Sequence, residues 1–263
     1  MSAISANNAY KQPDPDIPIW ALIPRLIITL WAILVFWGIF LILFPCFFVL
    51  LIQPKKFTQD LAHGILNRIW SFFTLYVGSF TRVVVINNTS NLPNKPYIIA
   101  ANHNSFLDIP VISWAVWRQL RFLGRIEFKK IPLFGWMYAR LHVLINRKDS
   151  QQTAAAMEQV KKHLLEGTSI VIFPEGTTKH PLPIGNLKNG AFRLAIQTKI
   201  PILPVTIINS RNILDRNFIL NPGTVKVIID PPIETDNWSD EYLDEAKQSI
   251  HNLFEQNIKR YAS

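Results

Sequence analysis

Cysteine is nearly absent: Cys46 stands alone in 263 residues. A single thiol excludes a disulfide framework and a thiolate metal site within one chain, and it fits a reducing compartment. The six histidines are no better placed for a metal. His63, His142, His163 and His251 have no partners at ligand spacing and read as structural or surface residues, so no metal is expected. Acidic residues are also scarce, 18 against 27 Lys and Arg, and the resulting net charge of +9 favours anionic partners such as lipid head groups or phosphorylated cofactors. Nucleic acid is not expected among them, because the cations are dispersed and no recognition motif accompanies them. The chain has no internal repeat or low-complexity tract.

Apolar residues, in contrast, make up 49% of the chain, and eight Trp contribute. The mean hydropathy is positive, which implies membrane association. Residues 1–18 are polar and Pro-containing and read as a flexible tail. From Leu26 to Ile52 the sequence is almost continuously apolar. As one helix this stretch would reach about 40 Å, more than the roughly 30 Å of a bilayer's hydrocarbon core. It comes too late, runs too long and lacks the small-residue cleavage pattern of a signal peptide.

Pro45 within it predicts a kink. The following stretch, Phe57 to Phe80, has the spacing of an amphipathic helix at the interface or packed on the first, so residues 19–80 suit a single span, a re-entrant or monotopic helical hairpin, or a buried core helix. Lys55, Lys56, Arg68 and Arg82 follow the apolar run and only Lys11 and Arg25 precede it, which places the remaining chain on the cytoplasmic side of a membrane.

From residue 81 to 263 the pattern changes to alternating strands and helices. Strands are expected at Arg82–Ile86, Tyr97–Ala101, Arg121–Leu123, His142–Ile145, Ser169–Phe173, Ile202–Ile208 and Thr224–Ile229. Helices are expected at Ser105–Trp117, Gln151–Glu166, Gly190–Thr198 and Asp240–Lys259. This is the signature of an α/β domain with a mixed, mostly parallel sheet flanked by helices.

Two strand ends carry chemistry. Tyr97 to Ala101 delivers His103 to a loop, and Asp108 follows one helical turn in, where its carboxylate can turn back to the imidazole. A carboxylate on one ring nitrogen fixes the tautomer and raises the basicity of the other, which prepares a general base. The same spacing also suits a capping Asp and an ordinary histidine. Ser169 to Phe173 ends in Pro174-Glu175-Gly176-Thr177-Thr178. There Glu175 is suited to hold an acceptor's hydroxyls and the Gly176 region to stabilise an oxyanion through backbone amides. An ordinary strand-to-loop turn is the alternative.

Taken together, Asn102-His103 with Asp108, then Gly124-Arg125-Ile126-Glu127-Phe128 with Asn146-Arg147, then Phe173 to Thr177, then Ile200 to Val205 resemble the four motifs of the glycerolipid acyltransferases. The closest pattern is that of the 1-acylglycerol-3-phosphate (lysophosphatidic acid) acyltransferase family. The resemblance implies transfer of an acyl group from acyl-CoA or acyl-carrier protein to the free hydroxyl of a membrane-held lysophospholipid, with no cofactor beyond the thioester co-substrate. It also implies that His103 is the base, Asp108 its orienter, Glu175 and Gly176 part of the reacting site, and Asn102, Arg125, Arg147 and Thr177 part of the substrate site.

Arg147 would hold the acceptor phosphate, unless it is simply a solvated loop cation beside Lys148. One departure matters for the acceptor. Where many members have arginine after Glu-Gly-Thr, this chain has Thr178, leaving Lys179 or His180 to assist. Phe106, Phe128, Phe134 and Trp136 are candidates for an acyl-chain groove.

Overall fold

A computed structural model of the chain describes residues 18–53, 58, 61–89, 92–116, 118–180 and 183–261. The tail expected over residues 1–18 lies, but for Pro18, outside the described residues.

Helix α1 runs from Ile19 to Ile52, unbroken past Pro24 and Pro45. It is long and apolar enough to cross a membrane. A second helical segment follows, with a π-helical start at Ala62–Leu66, a regular turn α2 at Asn67–Phe72 and a π-helical end at Phe73–Gly78. One side of α1 is packed throughout. Arg25 pairs with Asp215 at 3.5 Å, the Leu220 N–H donates to Thr29 Oγ1, and Trp31 Nε1 donates to the Val77 carbonyl. Further along, Phe40 and Phe47 are fully buried against Phe134 and Met137. The other side is bare: Trp20, Leu34 and Ile42 are 77%, 68% and 71% exposed. Contacts from Arg25 to Phe47 span roughly 33 Å of helix.

The α/β part contains β1 (Thr81–Asn87), β2 (Ile98–Ala101), α3 (Asp108–Ala115), β3 (Leu120–Arg125), α4 (Phe134–Leu141), β4 (Val143–Ile145), α5 (Ser150–Leu165), β5 (Ser169–Ile172), α6 (Gly190–Thr198), β6 (Ile202–Ile208), α7 (Ser210–Ile213), β7 (Gly223–Ile229) and α8 (Leu243–Tyr261). Single 3-10 turns cover Ile126–Lys130 and Asp240–Tyr242. Seven strands form one sheet in the order β1-β7-β6-β2-β5-β3-β4, parallel throughout except for the β6/β7 pair. The mixed, mostly parallel sheet expected from the alternation is present.

Both faces of the sheet are covered, which explains why the central strands read as continuous apolar runs. Ile98, Ala100, Ile170, Ile172 and Ile202 meet α5, α6 and α8 on one face. Ile99, Ala101, Val171, Leu203 and Val205 meet α3 and the second helical segment on the other. Helix α4 was not expected. Its eight residues contain a glycine and follow Pro132, and its apolar face gains a partner only when α1 packs on it. Gly135 is required there, because a Cβ would come within 2.2 Å of the Lys129 carbonyl oxygen.

His63 and His142 are buried side by side where the second segment meets β3 and β4, with ring centroids 6.3 Å apart. The Phe122 N–H points at His142 Nδ1, 3.4 Å away, which suits a neutral ring. Burial, reinforced by the adjacent Arg121 charge, pushes His142 down to about 3 and His63 well below its ordinary value. An unfolded histidine binds a proton below about pH 6.5. Stability from these residues is therefore complete above that pH and is lost progressively as pH falls below it, for His142 down to about 3. Denaturant titrations at pH 7 and pH 5 should show this loss, and His142→Gln should make it smaller.

Candidate functional site

The parallel strands β2, β5, β3 and β4 are neighbours in that order, so their carboxyl ends lie along one edge of the sheet. That edge is where open α/β sheets collect ligands. His103 follows β2, Phe173 to Lys179 follow β5, Arg125 ends β3 and Arg147 follows β4. All of these residues line one cavity of about 330 Å³ except Pro174 and Glu175, which lie behind it.

His103 Nδ1 lies 2.9 Å from Asp108 Oδ2. The same oxygen accepts the N–H groups of Asn104 and Ser105 at 2.8 and 2.9 Å. Asp108 has no exposed side-chain surface, and its carboxylate is held by three donors from the loop that carries the histidine. The helix expected from Ser105 therefore starts at Asp108, because the carboxylate draws the preceding amides into a turn of their own. The Ser105 hydroxyl instead donates to the Leu214 carbonyl. On its other side the His103 ring stacks on Phe173, with centroids 3.9 Å apart and planes within 16°. With Nδ1–H given to Asp108, Nε2 is the free basic nitrogen, and the histidine lines the cavity.

Three readings of the sequence change. Asn102 is fully buried; its amide donates to the Ile207 carbonyl at 2.8 Å and accepts the Ile207 N–H at 2.6 Å, continuing the β2/β6 ladder. It is therefore a backbone clamp and does not line the cavity. Glu175 also has no exposed side-chain surface. Its carboxylate accepts the His103 N–H at 2.7 Å and the Gly185 N–H at 2.5 Å, so it is engaged by the protein's own backbone and does not line the cavity. Gly176 has φ +69°, and its amide donates to the Phe173 carbonyl at 3.0 Å, closing the turn. That amide is committed to the turn, while Gly176 itself stays on the cavity wall.

Arg125, Arg147, Thr177, Thr178 and Lys179 do meet at the cavity rim. Arg125 pairs with Glu127 at 3.1 Å. Partial desolvation, with the nearby Arg125 charge, lowers the Arg147 pKa. Two guanidinium groups that disfavour one another are suited to an anion.

A second cavity of about 150 Å³ adjoins the first and is almost wholly apolar. Phe106, Ile109, Phe128 and Tyr138 line both. Phe134 lines the second one with Phe36 and Trp70, whereas Trp136 stacks on Phe48 of α1 and lines neither. Tyr138 was missed in the sequence, and Phe173 reads there only as the first residue of the third motif, with no role for its ring. The partner of each ring comes from another segment.

Gly124 marks how closely Tyr138 packs, since an added Cβ would come within 2.0 Å of the Tyr138 hydroxyl oxygen. Gly124→Ala is expected to cost about 1–3 kcal/mol and to depress turnover by displacing the ring between the cavities. In a double-mutant cycle with Tyr138→Leu, the combined loss of stability should be smaller than the sum.

Residues 83–208 match the model of the family described as Acyltransferase. The chain is 27% identical over 259 residues to a 1-acyl-sn-glycerol-3-phosphate acyltransferase of Chlamydomonas reinhardtii, covering 95% of this chain and 74% of that protein. It is 30% identical to the 1-acyl-sn-glycerol-3-phosphate acyltransferase of Saccharomyces cerevisiae, covering 76% and 67% respectively. The crystal structure of the 1-acyl-sn-glycerophosphate (LPA) acyltransferase PlsC from Thermotoga maritima superimposes with a TM-score of 0.75 at 22% identity, covering 90% of this chain and 96% of that one. With its sheet edge, its paired histidine and aspartate and these relatives, the chain belongs to the 1-acyl-sn-glycerol-3-phosphate acyltransferase family.

Proposed function

We propose that this protein acylates the free hydroxyl of lysophosphatidic acid to give phosphatidic acid, with His103 as general base. The observation that carries the reading is the His103–Asp108 contact at 2.9 Å, with the second ring nitrogen left to a cavity rimmed by cations. The acceptor hydroxyl gives its proton to His103 Nε2 as its oxygen attacks the thioester carbonyl carbon. The tetrahedral oxyanion then collapses, the carbon–sulfur bond breaks, and the imidazolium returns the proton to the leaving thiolate. Arg147 and Arg125, with Lys179 in the position left by Thr178, hold the acceptor phosphate. An acyl chain lies in the apolar cavity beside Phe106 and Phe128. The net charge of +9 suits either donor, acyl-CoA or acyl-carrier protein.

The enzyme works at a membrane, with the α/β part on the cytoplasmic side. The packed side of α1 meets the rest of the protein over roughly 33 Å, about the thickness of a bilayer core, which supports the hairpin alternative over a straight span. In that arrangement α1 lies with its bare side in one leaflet.

An acyl-transfer assay on membranes, with one acyl-CoA and a panel of lysolipids, tests this reading. Lysophosphatidic acid should be the preferred acceptor, and His103→Ala should lower the rate on the order of a hundredfold or more. A cellular role that survives His103→Ala would instead indicate a catalytically silent scaffold of the same fold.

Thr178 favours a second reading, a different lysolipid acceptor, because this rim position lacks the family's usual arginine. Thr178→Arg separates the two. If lysophosphatidic acid is native, the variant should lower KM for it; if another lysolipid is native, the variant should lose activity with that lipid and gain none with lysophosphatidic acid.

A further inference from the structure

We propose that His180 is a positioning residue for the general base, acting with Glu175 to hold the backbone of His103 from both sides; this rests on the acyl-transfer reading above. Sequence alone left His180 as a possible helper at the acceptor phosphate. In the structure its side chain is turned inward and only 9% exposed.

His180 Nε2 lies 2.5 Å from Glu175 Oε2 and 3.1 Å from the carbonyl oxygen of His103. Both neighbours are acceptors, so Nε2 carries the proton. The other carboxylate oxygen of Glu175 accepts the His103 N–H at 2.7 Å. The one backbone donor and the one backbone acceptor of the base are thus taken by two side chains that are bonded to each other. This closed ring leaves the His103 peptide little freedom, while Asp108 and Phe173 fix the imidazole.

The support extends one layer further. The His180 carbonyl accepts from Arg211 at 3.1 Å and from Arg216, and Arg211 also holds the carbonyls of Thr178 and Asn104 at 2.9 and 3.3 Å. Arg211 therefore connects the loop after β2 to the loop after β5. Among the described residues, the charged and titratable groups in contact with His180 include Glu175 and His103 at its ring and Arg211 and Arg216 at its backbone. Placement on this scale matters because a shift of about 1 Å in a reacting group can cost a hundredfold in rate.

The test compares full-length wild type, His180→Phe, His180→Gln and His180→Asn in mixed micelles of detergent and lysolipid. It measures kcat, KM for each substrate and thermal unfolding. Phe fills the volume without a donor, Gln can reach Glu175 with an amide N–H, and Asn is too short. His180→Phe should lower kcat about tenfold or more with both KM values within about twofold of wild type, and Gln should recover several-fold where Asn does not. Unchanged kcat in the Phe variant, a loss carried in KM, or Gln no better than Asn would each overturn the proposal. If the Phe variant does not fold, the Gln and Asn pair alone decides.

If wild type transfers acyl groups to no lysolipid, the reading of function fails and a second readout judges His180. Amide hydrogen exchange at His103 should be accelerated about tenfold or more in the Asn variant and protected in the Gln variant. Equal protection in both would refute the positioning role.

Discussion

A carboxylate with no exposed surface must be met by donors from the protein, because leaving it unpaired in a dry interior costs several kcal/mol. Asp108 is such a group, and the nearest donors available to it are its own approach loop. The amides of Asn104 and Ser105 and the ring of His103 converge on one of its oxygens. The loop's shape, the start of α3 and the orientation of the imidazole therefore follow from one desolvated charge. Glu175 solves the same problem on the next strand, and its donors include the His103 amide. Two buried carboxylates, each accepting N–H groups from the protein, hold one histidine between them.

The sheet supplies the frame. Because β2 lies between β5 and β6 and all three run parallel, the loops that leave them emerge at one edge. Asn102 continues the β2/β6 ladder one residue past the strand, so the position of His103 is inherited from the most buried part of the molecule. A site built this way has little slack, since core strands are the last elements to open.

The apolar helices complete the site as well as covering it. Rings from α1 and α2, Phe36 and Trp70, form one wall of the apolar cavity, and α4 with Tyr138 and Phe134 forms another. The aromatic cluster that seats α1 is therefore continuous with the cavity beside His103. The apolar surface of α1 and the apolar cavity are thus built from one continuous set of aromatic side chains.

Within the chain, local pattern was enough for most of the framework. Buried strands such as Ile202–Ile208, helices with a clear apolar stripe such as Gly190–Thr198, and the His103/Asp108 spacing each depend on neighbours a few residues apart, which sequence displays directly. The roles of Asn102, Glu175, Gly176 and His180 could not be read this way. Residue type says that an amide, a carboxylate, a glycine or an imidazole is present; whether it faces substrate or the protein's own backbone depends on contacts with Ile207, His103, Phe173 and Gly185, some of them more than seventy residues away. Helix α4 and the seating of α1 were decided likewise, because each apolar face acquires a partner only when the other is in place. The sequence determined which chemistry the chain carries. Tertiary structure determined which polar groups that chemistry uses and which are consumed in holding it still, because a buried polar group must be satisfied by whatever the fold places next to it.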